Sequence, residues 1–482
     1  MGFWLMTERA EQVEGVLTRF DPRYWTVNFP RPMMAAATAP RHDVLRVDCV
    51  FYRRDDLAGL IWEAQDVHDH PLLRYATDRD FRSCRLRFRW RSAGVRALDA
   101  VHGPVLTIEG RDAGGAPRAW YVRLWNYAVG TPEDAIVTLD FAKLDGGFLL
   151  PGEADPVWAG DVDRMFVSLV APGYDAGDGL LDAPAEGWAE LSGIACDGPG
   201  AVLAIGDAVL PEHGLLIASG YDDSYHLTPQ RLLKQVLHLG YRGSIVHYVG
   251  MSHYFRLRFA DGRLLVHGAL NAPCVAWHRS LAAEAMRLGY SVIWSLSYEL
   301  FDAHCPEEWK QRDMAGAPAL TGWEPPSTLL SPAHREAMAY LHGVATAFVA
   351  IAQEAGMAVR FQVGEPWWWV FGDGRICLFD AAAQAALAPA VALPSSGRDA
   401  TTAFLGGDVE VWVANVSDVT ELVANGEAKV VGIMEEERSP FLPDVPTFAE
   451  EGYDVRISSS RGFVFPAGAP QECVDAMSEA IG

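Results

Sequence analysis

TPQRLLKQVLHLGYRGSIVHYVGMSHYF, Thr228 to Phe255, holds a helix and a strand back to back. Thr228 has the side chain of an N-cap, Pro229 suits the first helical turn, and Gly240 accepts the left-handed backbone that ends a helix. GSIVHYVGMSHYF then reads as a strand. Just upstream, HGLLIASGYDD (His213–Asp223) is a strand of the same kind. Downstream comes a hairpin through Ala260, Asp261 and Gly262, then the helix CVAWHRSLAAEAMRLGY, the strand SVIWSLSYELF, the long helix SPAHREAMAYLHGVATAFVAIAQEAGM and the strand MAVRFQVGEPWWWVF. Near-continuous apolar strands joined by amphipathic helices point to a parallel sheet. The pattern predicts four βα units, half of an eight-fold barrel.

Before this region the rhythm differs. From Asp43 to about Cys196 short alternating or β-branched runs recur: DVLRVDCVFY, CRLRFRWRS, PVLTIEGRD, AWYVRLWNYAV, AIVTLDFAKL and MFVSLVAP. Gly, Pro and Asp clusters separate them without helices between, which predicts an antiparallel β-sandwich. The aromatics Trp90, Trp120, Tyr121, Trp125 and Tyr127 either fill its core or form a sugar-stacking face. The Gly-, Asp- and Pro-rich passage Gly173–Gly200 reads as a linker to the barrel. Past Ala392 a βα region of different flavour runs to the end, with the helix SDVTELVANG and the strands VEVWVAN and AKVVGIM, apolar enough to extend a parallel sheet. The resulting division is a leader over 1–19, a sandwich over 20–200, a partial barrel over 201–393 and a C-terminal fragment over 394–482.

With 482 residues, several domains are expected. Half the residues are hydrophobic and 16 are tryptophan, a composition that predicts folding almost throughout. The formal net charge of -24 argues against sequence-independent binding to nucleic acid, which needs a surplus of Lys and Arg. Seven cysteines (Cys49, Cys84, Cys196, Cys274, Cys305, Cys377 and Cys473) stand singly, with no CxxC pair, so they read as buried thiols and not as a zinc knuckle or disulfide scaffold. The start MGFWLMTERAEQVEG lacks the apolar core and cleavage site of a signal peptide, so export is not expected. Insertion in a membrane is not expected either, because the most apolar run, near Met338 to Ala355, is broken by His342 and Gln353.

Five strings, RFDPRYWTVNFPRPMMA (Arg19–Ala35), VFYRRDDLAGLIWEAQD (Val50–Asp66), WYVRLWNYAVGTPEDA (Trp120–Ala135), SVIWSLSYELFDAHCPEEWKQRD (Ser291–Asp313) and VGEPWWWV (Val363–Val370), resemble bacteriophage non-contractile tail sheath proteins. That resemblance, over roughly 19–392, implies a β-rich N-terminal domain joined to a TIM barrel and a structural role in a virion tail. It also implies assembly with copies of itself and with other tail proteins, in the virion or in the host cytoplasm during assembly. Here the barrel is expected to stop near residue 392. The C-terminal segment, roughly 395–482, is similar to the second lobe of tripartite tricarboxylate transporter receptors, which are periplasmic solute-binding proteins. The similarity rests on GRDATTAFLGGDVEV (Gly397–Val411), ANVSDV (Ala414–Val419), ERSPFLPDVPTFAEEGYDV (Glu437–Val455) and RGFVFPAGAPQECV (Arg461–Val474). Such receptors bind carboxylates between two lobes, so a complete site is not expected from one.

In βα folds functional groups gather where strands end. Glu299 closes SVIWSLSYE and Glu365 closes VRFQVGE, the placement of the two carboxyl groups of a retaining glycosidase, which stand about 5 to 5.5 Å apart. Asp222, Tyr225, His253 and Asn271 are candidate substrate-binding groups, and Trp367 and Trp368 could stack on sugar rings. The plainer reading has both glutamates pairing with arginine or capping helices, and the tryptophans wedging a hairpin. His304 and Cys305 follow Glu299 without a spaced partner of ligand type, so no metal is expected. No GxSxG elbow, P-loop or GxGxxG fingerprint occurs, and no cofactor is expected. Function is therefore framed as a tail structural protein whose barrel is glycosidase-like, non-catalytic and able to bind glycan. The alternatives are a glycoside hydrolase and a carboxylate receptor.

Overall fold

The computed structural model describes residues 18–71, 73–76, 78–201, 204–205, 210–250, 254–260, 262–363, 368–387, 404–406 and 413–453. The chain divides into two compact units, Met1–Trp369 with Cys377–Ala386, and Val370–Ile376 with Leu387–Gly482.

The first unit opens with two antiparallel sheets. One holds β1 (Thr26–Asn28), β4 (Leu57–Glu63), β10 (Val162–Val170), β6 (Val105–Arg111) and β7 (Pro117–Arg123), in that order. The other holds β2 (Met34–Arg41), β3 (Val44–Arg53), β11 (Leu180–Asp197), β5 (Arg85–Ala93), β9 (Asp134–Asp140) and β8 (Ala128–Thr131). Strict alternation shapes β5: Leu86, Phe88 and Trp90 point into the core, while Arg85, Arg87, Arg89 and Arg91 face out. Its exposed arginines meet carboxylates on neighbouring strands, as where Arg89 grips Asp134 at 2.6 Å. Of the aromatics considered above, Trp90 and Trp120 lie inside the core, whereas Tyr121 is 63% exposed.

The passage read as a linker is instead the longest strand of the molecule's described residues. Leu180–Asp197 lies between β3 and β5, pairing with both. Its glycines and alanines hide its β character, yet one of them is required by the packing. A Cβ on Gly187 would come within 2.4 Å of the Gly94 carbonyl oxygen across the pair, and Gly94 itself has φ +70°. Two glycines thus let the strands approach where side chains would hold them apart.

The barrel region follows as four parallel strands in sequential order: β12 (Ile217–Gly220), β13 (Ile245–Val249), β16 (Val292–Leu296) and β19 (Phe361–Val363). Between them run α1 (Pro229–His238), α2 (Ala272–Arg287) and α3 (Arg335–Glu354). Thr228 caps α1 as its sequence requires, accepting from the Arg231 N–H, and Gly240 takes φ +83°. The expected hairpin is present as β14 (Phe255–Ala260) and β15 (Arg263–Leu270). One expected strand breaks in two: β16 ends at Leu296, and Glu299–Phe301 forms β17, which pairs antiparallel with β18 (Ser327–Leu329) outside the parallel sheet. The last expected strand is reduced, among its described residues, to Phe361–Val363.

Sandwich and half barrel are joined by a buried ion triad. Arg231, on α1, donates to Asp66 at 2.6 Å and to Asp69 at 2.8 Å, both carboxylates lying in the loop after β4. Burial alone would raise the pKa of Asp66, but the guanidinium and the backbone N–H groups of His68 and Asp69 outweigh it and hold the carboxyl below its usual range. Burial dominates at Asp69, which is pushed up to about 6. Around the triad the Thr228 hydroxyl donates to the Arg23 carbonyl at 2.6 Å, the Val27 N–H to the His226 carbonyl at 3.1 Å, and the Leu257 N–H to the Tyr52 hydroxyl at 3.3 Å. Helix α2 packs along β2 and β3.

In the second unit, Val370 and Ile376 bridge around a turn in which Arg375 pairs with Asp373 at 2.9 Å. Helix α4 (Val416–Ala424) agrees with the helix expected there. AKVVGIM does not form the expected strand: Ile433 makes a single parallel bridge to Thr447, in a loop-rich segment tied by Arg438 and Glu450 at 2.8 Å. VEVWVAN falls largely outside the described residues, as do the segments beyond Tyr453.

Removing one member of a buried ion cluster leaves uncompensated charge. Arg231→Ala is expected to lower the stability of the first unit by about 3–5 kcal/mol in urea unfolding. A change under 1 kcal/mol would show that the triad does not hold the two regions together.

Candidate functional site

The carboxyl ends of β12, β13 and β16 converge on a small polar face. A helical turn, Tyr221–Ser224, follows β12 directly and carries Asp222 over the end of β13. A Cβ on Gly250 would sit 1.2 Å from Asp222 Oδ2, so the carboxylate occupies space that only glycine leaves open. Beside it the buried Tyr254 hydroxyl donates to the carbonyls of Glu299 and Ser297, at 3.3 and 3.5 Å. Burial raises the pKa of this phenol, and the nearby carboxylates of Asp222 and Glu299 raise it further. The phenol therefore stays protonated and acts as a fixed donor.

Not all the expected groups meet there. Glu299, half-buried, opens β17, and its backbone belongs to the antiparallel pair with Leu329. Asn271 is fully buried as the N-cap of α2, accepting from the Cys274 N–H at 2.8 Å and donating to the Phe255 carbonyl at 3.1 Å. Tyr225 packs on Phe29 of the sandwich, ring centroids 5.4 Å apart. Trp368 is half-buried at the edge of the first unit. Glu365, His253 and Trp367 lie outside the described residues, so the separation of Glu299 and Glu365 is not part of the geometry. Among the described residues no group of three or more His, Cys, Asp or Glu is arranged to hold a metal ion. No described helix is long and apolar enough to cross a membrane.

Sequence reading passed over a second cluster, on the helix-covered face of the parallel sheet. Ser219, His247 and Trp294 share one register row across β12, β13 and β16. The Ser219 hydroxyl lies 2.8 Å from His247 Nδ1, His247 Nε2 lies 3.3 Å from His278 Nε2, and His278 Nδ1 lies 2.8 Å from the Cys274 carbonyl one helical turn back. A carbonyl can only accept, so His278 carries its proton on Nδ1 and accepts at Nε2. His247 must then donate from Nε2 and accept the Ser219 proton at Nδ1. Every tautomer in the array follows from that one carbonyl. Both imidazoles are fully buried among Trp277, Trp294, Tyr221 and Phe348. Burial pushes His278 down to about 3 and holds His247 well below its ordinary value, so both stay neutral. The one sequence signal was a histidine inside the otherwise apolar strand IVHYV.

A β-rich module followed by a TIM-barrel-like domain is the class that this architecture defines. Comparison with known families supplies the rest: residues 17–206 match the non-contractile tail sheath N-terminal domain, and residues 211–425 match the TIM barrel of the non-contractile tail sheath protein. The chain belongs to the non-contractile tail sheath family over these two regions, which ties it to a structural role in a phage tail. Residues 390–482 match the tripartite tricarboxylate transporter family receptor, overlapping the end of the barrel match. Among solved structures, the enzymatically active domain of tailspike protein 4 from bacteriophage CBA120 aligns at 10% identity over 36% of this chain and 19% of that one, with a TM-score of 0.18. The α-galactosidase from Lactobacillus brevis aligns at 10% identity over 68% of this chain and 50% of that one, and a GH36 α-galactosidase from Geobacillus stearothermophilus at 10% over 69% and 52%, both with a TM-score of 0.21. At these scores the alignments do not define a shared fold. The chain spans half or less of the tailspike domain and the Lactobacillus enzyme.

The neutral histidines make stability depend on pH. Their folded-state pKa values lie below the unfolded value of about 6.5, so the unfolded chain binds more protons as the pH falls. Stability is expected to fall below pH 6.5, by up to about 1.4 kcal/mol per pH unit for each buried imidazole. Asp69, raised to about 6, acts with the opposite sign between about pH 6 and 4. Urea midpoints measured from pH 7 to pH 4.5 test this, and a midpoint that rises on acidification would contradict it.

Proposed function

We infer that the chain is a structural subunit of a phage or prophage-derived tail, working as one of many copies, with its half barrel serving as scaffold and not as catalyst. The observation that carries this reading is the union of the two sheath-type regions into one compact unit through the Arg231 triad. A subunit that transmits load along a tail needs its two parts fixed to each other, and a buried multi-hydrogen-bonded ion cluster fixes orientation as well as distance. Use of Asn271 as a helix cap and of Tyr225 as a contact with the sandwich favours a scaffold, since both groups already serve the fold. Residence in the virion tail and association with other tail proteins follow from the same reading. The receptor-like segment is then an appended piece and not a working carboxylate site.

Light scattering and negative-stain microscopy of the purified chain are expected to find a symmetric homo-oligomer. A monomer at every concentration would overturn the assignment. Glu299→Gln is expected to leave assembly intact and to shift the thermal midpoint by no more than a few degrees. A glycan-cleaving activity that this substitution abolished would instead establish a hydrolase.

A further inference from the structure

Cys84 and Cys196 are remote in sequence but meet in the sandwich. Cys84 immediately precedes β5 and Cys196 lies near the end of β11, where Cys196 pairs with Leu86. The two cysteines are thus diagonal neighbours on adjacent strands. Both belong to the same buried core cluster, so their side chains leave the sheet on one face. Each is a free thiol. The two thiols lie close enough to shift each other's ionisation, Cys84 downward and Cys196 upward. Arg19 completes the arrangement. Its buried guanidinium lies over the Phe81 ring, donates to the Asp80 carbonyl at 2.7 Å and to the Asp78 carboxylate at 2.9 Å, and places Nη1 3.7 Å from Cys84 Sγ.

We propose that Cys84 and Cys196 form a latent redox site, closing to a disulfide between β5 and β11 when the particle meets a peroxide-class oxidant. Cysteines diagonal to each other on adjacent strands need only a local shift of the two strand ends to be bridged, which cysteines remote in the fold could not make. The neighbouring Cys196 and the Arg19 guanidinium, whose Nη1 lies 3.7 Å from Cys84 Sγ, draw the Cys84 thiol below its ordinary value against burial, while Cys196 is raised. Cys84 is therefore the attacking thiolate and Cys196 the resolving thiol. In the first step Cys84 sulfur attacks one oxygen of hydrogen peroxide. The O–O bond breaks, leaving a sulfenic acid on Cys84 and a hydroxide that takes up the thiol proton as water. Cys196 sulfur then attacks Cys84 sulfur, and the displaced hydroxide leaves with the Cys196 proton as a second water. Two thiols and one peroxide become one disulfide and two waters, each sulfur losing one electron. Cys196 is 6% exposed and Cys84 1%, so the oxidant must be small.

The test treats the full chain with hydrogen peroxide, folded and in urea, then alkylates it under denaturing conditions and analyses the digest by mass spectrometry. A linked peptide holding Cys84 and Cys196, lighter by two hydrogen atoms than the reduced pair, is expected at roughly tenfold or higher yield from the folded chain, because folding sets a high effective concentration of one thiol at the other. In Cys196→Ser, Cys84 is expected to stop at the sulfenic acid and be captured by dimedone. Equal yields from folded and unfolded chains would overturn the proposal. So would both thiols remaining open to alkylation, or Cys84 oxidised beyond the sulfenic acid while Cys196 stays reduced.

Discussion

Burying one guanidinium sets the terms for the rest of the first unit. Arg231 cannot be neutralised by deprotonation, so a place must be found for its charge wherever α1 packs. The loop after β4 supplies it with two carboxylates three residues apart, one of which is also held by backbone N–H groups at 2.9 and 3.2 Å. Once that loop and that helix are bound, the first βα unit of the half barrel has a fixed position against the sandwich. The Thr228 cap, the Val27 contact and the run of α2 along β2 and β3 then add up on one geometry.

Legibility in the sequence followed the strength of local signals. Helix α1 could be read from Thr228, Pro229 and Gly240, because each of those residues has one backbone conformation that suits it. Strand β5 could be read from its alternation of arginine with large apolar side chains. Strand β11 could not, because LLDAPAEGWAELSGIACD carries the composition of a loop and becomes a strand only through pairing on both sides. The break after Leu296 was equally hidden. Nothing in SVIWSLSYELF marks it, and it is imposed by Ser327–Leu329, a segment more than two dozen residues away that pairs with Glu299–Phe301.

The site was legible only in part, for a related reason. Strand-end position led to Asp222, which directly follows β12, since βα topology directs strand ends to that face, whereas Glu299 stands at the start of β17 in the antiparallel pair. It could not reveal that Asn271 would be consumed by capping, although a short polar residue just before Ala272 and Pro273 is itself a cap signal. Nor could it reveal the histidines, whose meaning depends on the register of β13 against β12 and on the packing of α2 above them.

That array also constrains how the sequence can change over time. Its hydrogen bonds run in one direction, from the Ser219 hydroxyl through two imidazoles to a main-chain oxygen, so each member fits only the polarity of its neighbour. A single replacement at Ser219, His247 or His278 strands a polar atom in a dry interior. Drift away from this arrangement must pass through a poorer intermediate or change several positions together, which makes the three residues a coupled unit of inheritance although they lie on two strands and a helix.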